Sequence, residues 1–404
     1  MRSALLPLLL SSLAQPLRLR TTLLMRRASL LPCTDEGIEA AARALREGRL
    51  VAFPTETVYG LGAHALDPDA VLRIFEAKRR PLSDPVIVHV PPEDLRLDEL
   101  FALEESPNAR MLITALAEDF WPGPLTLVFR AGSRVPDCVT ASTGFVGVRC
   151  PRHPVAQRLL RAARVPVAAP SANRFGHVSP TSSDHVIDDL GDETVAVLED
   201  SDADGCSVGI ESTVCKVSPS GDELRVLRCG AVTAEHLETA LSLRAILCRV
   251  IVDNERVPSS TRGEQAVAPG QMIRHYAPDI PTYVYTSDTG DVSPDFVFRP
   301  AATLPLSEAV VIDFGGRMVH FKDLCGSRYA DLSPSGDAGE ACRHVFRMLR
   351  AAEDQKRAND NLRIVLLLDL RLAAREDQVV RALWERLNRA ASGCFIGANS
   401  VTTD

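Results

Sequence analysis

Apolar and polar positions alternate along the chain in blocks that predict a mixed α/β protein with two folded units. Thr34 or Asp35 can cap a helix that runs through Arg46, with Gly48 just past its end. Leu50 to Phe53 reads as a short buried strand. Asp67 and Pro68 give the next helix start, a cap followed by proline at the first helical position, and that helix runs towards Lys78 and stops before Pro81. Pro85 to Val90 predicts a strand, His153-Pro154 opens a helix to about Arg164, and Val165 to Ala169 is again a strand. Ser183 to Leu190 reads as a helix stopped by Gly191. Strands follow near Val195 to Leu198, Ser212 to Val217 and Leu224 to Leu227, and Thr233 can cap one more helix. These strands are too irregularly connected for a simple doubly wound sheet.

The polar stretch Asp253 to Gln265 carries Pro258, Ser259, Ser260, Thr261 and Gly263 and reads as an interdomain linker. Beyond it, Ala309 to Ile312 and Ile364 to Leu368 are continuous apolar runs, as in strands covered on both faces. Gly339 to Ala352 and Val379 to Ala391 have helical spacing, so this unit is expected to be a small three-layer, Rossmann-like α/β domain. The divisions expected are 1–32, 33–250, a linker at 251–280, and 281–404.

Composition changes this picture at the start of the chain. The first 32 residues hold five arginines (Arg2, Arg18, Arg20, Arg26, Arg27) and no acid, which suits a mitochondrial or plastid presequence. A secretory signal fits less well because Pro7 interrupts the apolar run Ala4 to Leu13, and Met25 offers an internal start for a cytoplasmic form. No run of 18 apolar residues exists, so no transmembrane helix is expected. The net charge of -8 over 404 residues leans against stoichiometric nucleic-acid binding. Ten cysteines include no C-x-x-C pair, so no metal site is expected and the thiols read as reduced.

Five stretches concentrate chemistry. Pro54 to Gly62 packs two hydroxyls, a carboxylate and a phenol after a strand, with two glycines expected to allow tight turns. Lys78-Arg79-Arg80 ends a helix, where a cation is favoured by the dipole alone but where a lysine and an arginine can also clamp a triphosphate. Ser171 and Asn173 follow an apolar strand, as either a turn or a pair of ligand donors. Gly209 to Thr213 brings two adjacent hydroxyls, and Arg228 ends a strand. His89 among apolar residues reads first as a satisfied core histidine, and Phe120 to Pro124 as a rigid structural turn. Walker, G-x-G-x-x-G, G-x-S-x-G and H-E-x-x-H patterns are absent.

Taken in order, PTETVYGLG (54–62), KRRP (78–81), DPVIVHV (84–90), WPGPLT (121–126), VRCPRHP (148–154), APSAN (169–173), GIEST (209–213), RCG (228–230) and APGQMIRHYAP (268–278) resemble the threonylcarbamoyl-AMP synthase family in its long two-domain form. That resemblance implies an α/β fold with a twisted open mixed sheet, YrdC-like, around a large cavity. It implies synthesis of L-threonylcarbamoyladenylate and pyrophosphate from L-threonine, bicarbonate and ATP, with Mg2+ arriving on the ATP. The product would pass to a tRNA threonylcarbamoyl transferase, with no stable nucleic acid and no membrane as partner.

Carried over by position, Lys78 and Arg80 are expected at the phosphates, Ser171, Asn173 and Arg228 at the nucleotide, and Arg149 near the phosphates. Thr55, His89 and Ser212 are expected in the threonine pocket, and Arg274, His275 and Tyr276 in a lid. The chain departs from many relatives by placing Gln271 before Met272 after Gly270. Two other classes share the fold. One is an RNA-binding module without synthase activity, which the net charge disfavours. The other is a hydrogenase-maturation-type carbamoyl transferase, whose paired zinc-finger cysteines are missing here.

Overall fold

Two sheets organise the molecule, in a computed structural model that describes residues 28–200, 205–252, 276–286, 297–298, 304–397 and 401–402. The first sheet is built in chain order from β1 (Ser29–Pro32), β2 (Leu50–Phe53), β3 (Gly60–His64), β4 (Ile87–His89), β5 (Leu125–Arg130) and β6 (Phe145–Arg149). It continues with β7 (Val167–Ala168), β8 (Val195–Glu199), β9 (Thr213–Val217), β10 (Glu223–Arg228) and β11 (Arg249–Val252). Its spatial order is β1-β8-β2-β3-β7-β4-β6-β5-β9-β10-β11, with parallel and antiparallel neighbours mixed. The irregular connection expected from the sequence is therefore present.

Caps fix the helices locally. Thr34 accepts the Gly37 N–H at the start of the Asp35–Arg46 helix, and Asp67 accepts from Asp69 and Ala70 at the start of Pro68–Lys78. Arg79 ends the latter in the left-handed region (φ 53°), which sends Lys78 and Arg80 inward and leaves Arg79 exposed. Between Val90 and His153, where the sequence pattern suggests no element, lie the Pro107–Phe120 helix, β5 and β6. Pro107 at the first helical turn after Ser106 is the signal that marks that helix.

The helices Asp35–Arg46 and Pro154–Ala163 cover one face of the sheet, on Val51, Phe53, Val167 and Leu198. Helices Pro68–Lys78, Pro107–Phe120 and Ala234–Leu243 pack with the opposite face, on Leu61, Val88, Val148, Leu127 and Cys215. Past β7 the first face carries no helix among the described residues. Among the described apolar residues, Phe145 and Leu227 pack on Val128 and Val214 there. The side chains of His89 and Arg149 project from this open part.

The glycines of the 54–62 segment work differently from the sequence expectation. Gly60 and Gly62 lie in the extended strand β3 rather than in a turn. A Cβ on Gly62 would stand 2.8 Å from Val167 and 2.9 Å from the Phe53 ring. These glycines give room to packed side chains instead of bending the backbone.

The second sheet contains β12 (Thr282–Thr286), β13 (Val297–Phe298), β15 (Ala309–Asp313), β16 (Tyr329–Asp331), β17 (Ile364–Leu368) and β18 (Cys394–Gly397). β14 (Leu304–Pro305) and β19 (Val401–Thr402) form a separate small pair. The order β13-β18-β12-β17-β15-β16 is wholly parallel. The crossovers β16 to β17 and β17 to β18 move the same way across the sheet, so right-handed connection puts both helices on one face. Those helices, Ala338–Ala358 and Gln378–Ala390, carry the contacts with the first unit.

Candidate active site

The site forms where β2, β7, β9 and β10 meet loops at the edge of the covered face. After β2, the Thr55 hydroxyl donates to the Val58 carbonyl (2.7 Å) and accepts from the Thr57 and Val58 N–H groups, which closes the loop on itself. Tyr59 and Leu61 then bind the loop after β7: Leu61 N–H donates to the Pro170 carbonyl, and Ala172 N–H to that of Tyr59. The two hydroxyl-rich segments thus form one wall.

Basic side chains enter from three strands and one helix end. His89 and Arg149 are direct partners across β4 and β6. Arg149 donates to the Thr57 hydroxyl (2.9 Å) and pairs with Glu56 (2.7 Å), whose other oxygen accepts the Arg152 N–H. Arg80 pairs with Asp84 at 3.0 Å and donates to the Pro85 carbonyl, with its guanidinium 5.8 Å from the Phe175 ring. Arg228 owes its direction to a bulge. Leu224 and Val226 face the helix-covered core, and strict alternation would send Arg228 there too. The register slips between Val226 and Arg228, so Arg228 pairs with Val214 on the open face. It donates to the Ser212 carbonyl (3.0 Å) and hydroxyl (3.1 Å), and the Ser212 and Thr126 hydroxyls lie 2.7 Å apart.

Burial controls the charge states. It lowers the pKa of Arg80 and of Arg228. Burial and then Arg149 push His89 down to about 3, so its imidazole is neutral, and its Nδ1 has no hydrogen-bond partner. Lys78 is driven well below the ordinary lysine value by burial and then by Arg80.

Thr55, Arg80, His89, Arg149, Ser171, Ser212 and Arg228 line one cavity, together with Thr57, Tyr59 and Glu211, which the sequence reading placed in chemistry-bearing stretches without an individual role. Its enclosed space is about 50 Å³, room for one or two waters. A larger depression of about 670 Å³ lies away from this chemistry, between Arg46 and Arg158 on the outer helices.

Two expected residues stand behind the wall. Lys78 donates to the main-chain carbonyls of Ser171 and Asn173, and the Asn173 amide donates to the Arg174 and His177 carbonyls. Of the expected lid, Arg274 and His275 lie outside the described residues. Tyr276 is buried, its ring 5.1 Å from that of Phe346 in the second unit. Gly209 also meets that unit. Its φ is +76°, and a Cβ there would collide with the backbone of Arg343.

Known proteins match both units of the chain. A family model described as "Telomere recombination" matches residues 43–230, and one described as "Threonylcarbamoyl-AMP synthase, C-terminal domain" matches residues 232–392. A threonylcarbamoyl-AMP synthase of Pyrococcus abyssi is 41% identical over 244 residues, covering 60% of this chain and 65% of that protein. The alignment thus spans just under two thirds of that relative. A threonylcarbamoyl-AMP synthase of Bacillus subtilis is 40% identical over 256 residues, 62% of this chain and 67% of that protein. The crystal structure of P. abyssi Sua5 complexed with L-threonine superposes with a TM-score of 0.68 at 29% identity, covering 92% of this chain and 99% of that one.

Proposed function

Because the chain belongs to the threonylcarbamoyl-AMP synthase family, we propose that it converts L-threonine, bicarbonate and ATP into L-threonylcarbamoyladenylate and pyrophosphate, supplying tRNA threonylcarbamoyladenosine biosynthesis through a tRNA threonylcarbamoyl transferase. One observation carries this reading: Arg80, Arg149, Arg228, Ser171 and Ser212 line one cavity. Such a set suits an anionic, hydroxyl-bearing ligand pair.

In this reading the threonine amine takes up carbon dioxide, and a carbamate oxygen attacks the α-phosphorus as pyrophosphate leaves. The step needs alignment and charge neutralisation rather than a protein nucleophile. Arg80 and Arg228 face the phosphates, Arg149 braces the 54–59 loop, and Lys78 holds the loop that presents Ser171. His89, neutral and unpartnered at Nδ1, is suited to a neutral hydrogen bond with threonine. Glu56 and Glu211 are both engaged by arginines. Mg2+ would therefore be held by phosphate oxygens, and its chemistry is to offset their charge.

The test is pyrophosphate release from ATP, with threonine or bicarbonate withheld in turn. Turnover that continues without threonine removes the reading. The acid-free, arginine-bearing first 32 residues support delivery to mitochondria or plastids. Fusion of that segment to a fluorescent reporter tests it.

A further inference from the structure

Among the described residues Arg386 is the largest fully buried side chain, and it belongs to the second unit. It lies in the Gln378–Ala390 helix, yet three of its four hydrogen bonds reach the first. Its Nη1 donates to the Cys229 carbonyl (2.6 Å) and to Ala382 in its own helix (3.1 Å). Its Nε donates to Glu211 Oε2 (3.2 Å), and its Nη2 reaches the Glu211 carbonyl (3.4 Å). Its guanidinium lies 5.9 Å from the Tyr276 ring centre, and Glu385 stands 3.7 Å away. The second Glu211 oxygen accepts the Ser179 hydroxyl at 2.6 Å.

The positions gripped are informative. Glu211 precedes Ser212 and Cys229 follows Arg228, and Ser212 and Arg228 are bonded to each other in the cavity. One guanidinium from the second unit therefore ties the two segments that carry this pair. Glu211 itself lines the cavity. Burial would raise its carboxyl, but Arg386 and then Arg228 outweigh burial and hold it below the ordinary value, so it is an anion. Left unpaired, that anion would face a site built for phosphate and would draw on Arg228.

We infer that Arg386 is a positioning residue of the anion site, by which the second unit neutralises Glu211 and aligns Ser212 with Arg228. The second unit then acts on nucleotide affinity from behind the wall, without touching ligand. This rests on the synthase reading above.

The test uses the full chain and threonine-dependent pyrophosphate release, with Arg386→Met, the double variant Glu211→Gln/Arg386→Met, and wild type. Arg386→Met is expected to raise the ATP KM by about tenfold or more, the usual effect of leaving a charge unpaired at a binding site, with a smaller change in kcat. The double variant, which removes both charges, is expected to recover most of that loss. A merely structural docking contact predicts the reverse: a lowered melting temperature in both variants and no recovery of KM. An unchanged KM in Arg386→Met, or equal KM values in single and double variants, overturns the inference. If Arg386→Met does not fold, the double variant alone decides, and an ATP KM more than about tenfold above wild type sinks the idea. Wild type lacking threonine-dependent turnover would instead remove the synthase reading itself.

Discussion

Lys78 Nζ donates to the main-chain carbonyl of Ser171 at 2.6 Å, joining the end of one helix to a loop 93 positions away. A second donation from the same ammonium reaches the Asn173 carbonyl. The lysine is thus a post under the Ser171 to Asn173 loop, and the cavity is lined by Arg80 beside it.

That placement changes what substitution should do. A clamp at an exposed helix end would lose ATP affinity with the fold intact. Lys78→Met here leaves two carbonyls without their donor, so it should lower stability by about 1–3 kcal/mol as well as ATP affinity. Arg79 is exposed in the left-handed region, and Arg79→Gly should lie within about 1 kcal/mol of wild type, on the stable side, with unchanged kinetics. Urea midpoints and ATP KM on the same preparations check both. Equal stability for Lys78→Met and wild type would remove the post.

The β3 glycines give a packing prediction. Gly62→Ala places a methyl 2.8 Å from Val167 Cγ1 and 2.9 Å from Phe53, and Gly60→Ala meets its nearest neighbour at 3.3 Å. Overpacking of the first kind typically costs about 1–3 kcal/mol, and Gly60→Ala should cost less. A larger loss at Gly60 would contradict the assignment of Gly62 to side-chain space.

Across the seam between the two units, His177 bonds Asp189 (2.8 Å) through Nδ1 and Glu353 (2.8 Å) through Nε2. Arg350 also pairs with Asp189, at 2.9 Å, and the Asp279 N–H donates to Glu353. Burial opposes charge on His177, but the two carboxylates prevail and raise it to about 9. An unfolded histidine titrates near 6.5. The stabilisation is therefore complete below about pH 6.5 and is lost as pH rises through about 9, with a magnitude of about 2–3 kcal/mol. The expected result is a fall in wild-type stability across that window that His177→Gln lacks. Taking the difference between the two removes the contributions of the other titrating groups. Parallel stability curves would refute it.

How much of this was open to reading from the sequence depends on how far apart the partners lie. Thr34, Asp67 and Thr233 cap helices through N–H groups two or three positions on, so their signals are local and legible. The order of motifs likewise identified the loops that line the cavity. The direction of Arg228 was not legible, because a one-residue slip against β9 sets it. Nor was the inward turn of Lys78, the space filled by Phe53 beside Gly62, or the grip of Arg386 on Glu211, 175 positions away. Each depends on a partner that only the folded chain brings near. Arg386 looks in sequence like any polar position of an amphipathic helix.

His89 supplies the last prediction. It stands in β4 with its ring edge-on to Phe53 (6.2 Å) and its neighbour across the sheet is Arg149. Burial and that cation hold its pKa at about 3, so between pH 5 and 9 it can act only as a neutral hydrogen-bonding group and not as a general acid or base with a midpoint near neutrality. Its depressed value means that stability it contributes above about pH 6.5 is lost as pH falls towards 3. His89→Asn keeps a neutral polar group near the same position, and His89→Leu removes it. The threonine KM should rise by roughly three- to tenfold in His89→Leu, the usual range for one neutral hydrogen bond, and by less in His89→Asn. The pH dependence of kcat/KM should keep its shape in both variants. A wild-type break near pH 6.5 that disappears in His89→Asn would show a titrating imidazole and would sink the neutral assignment.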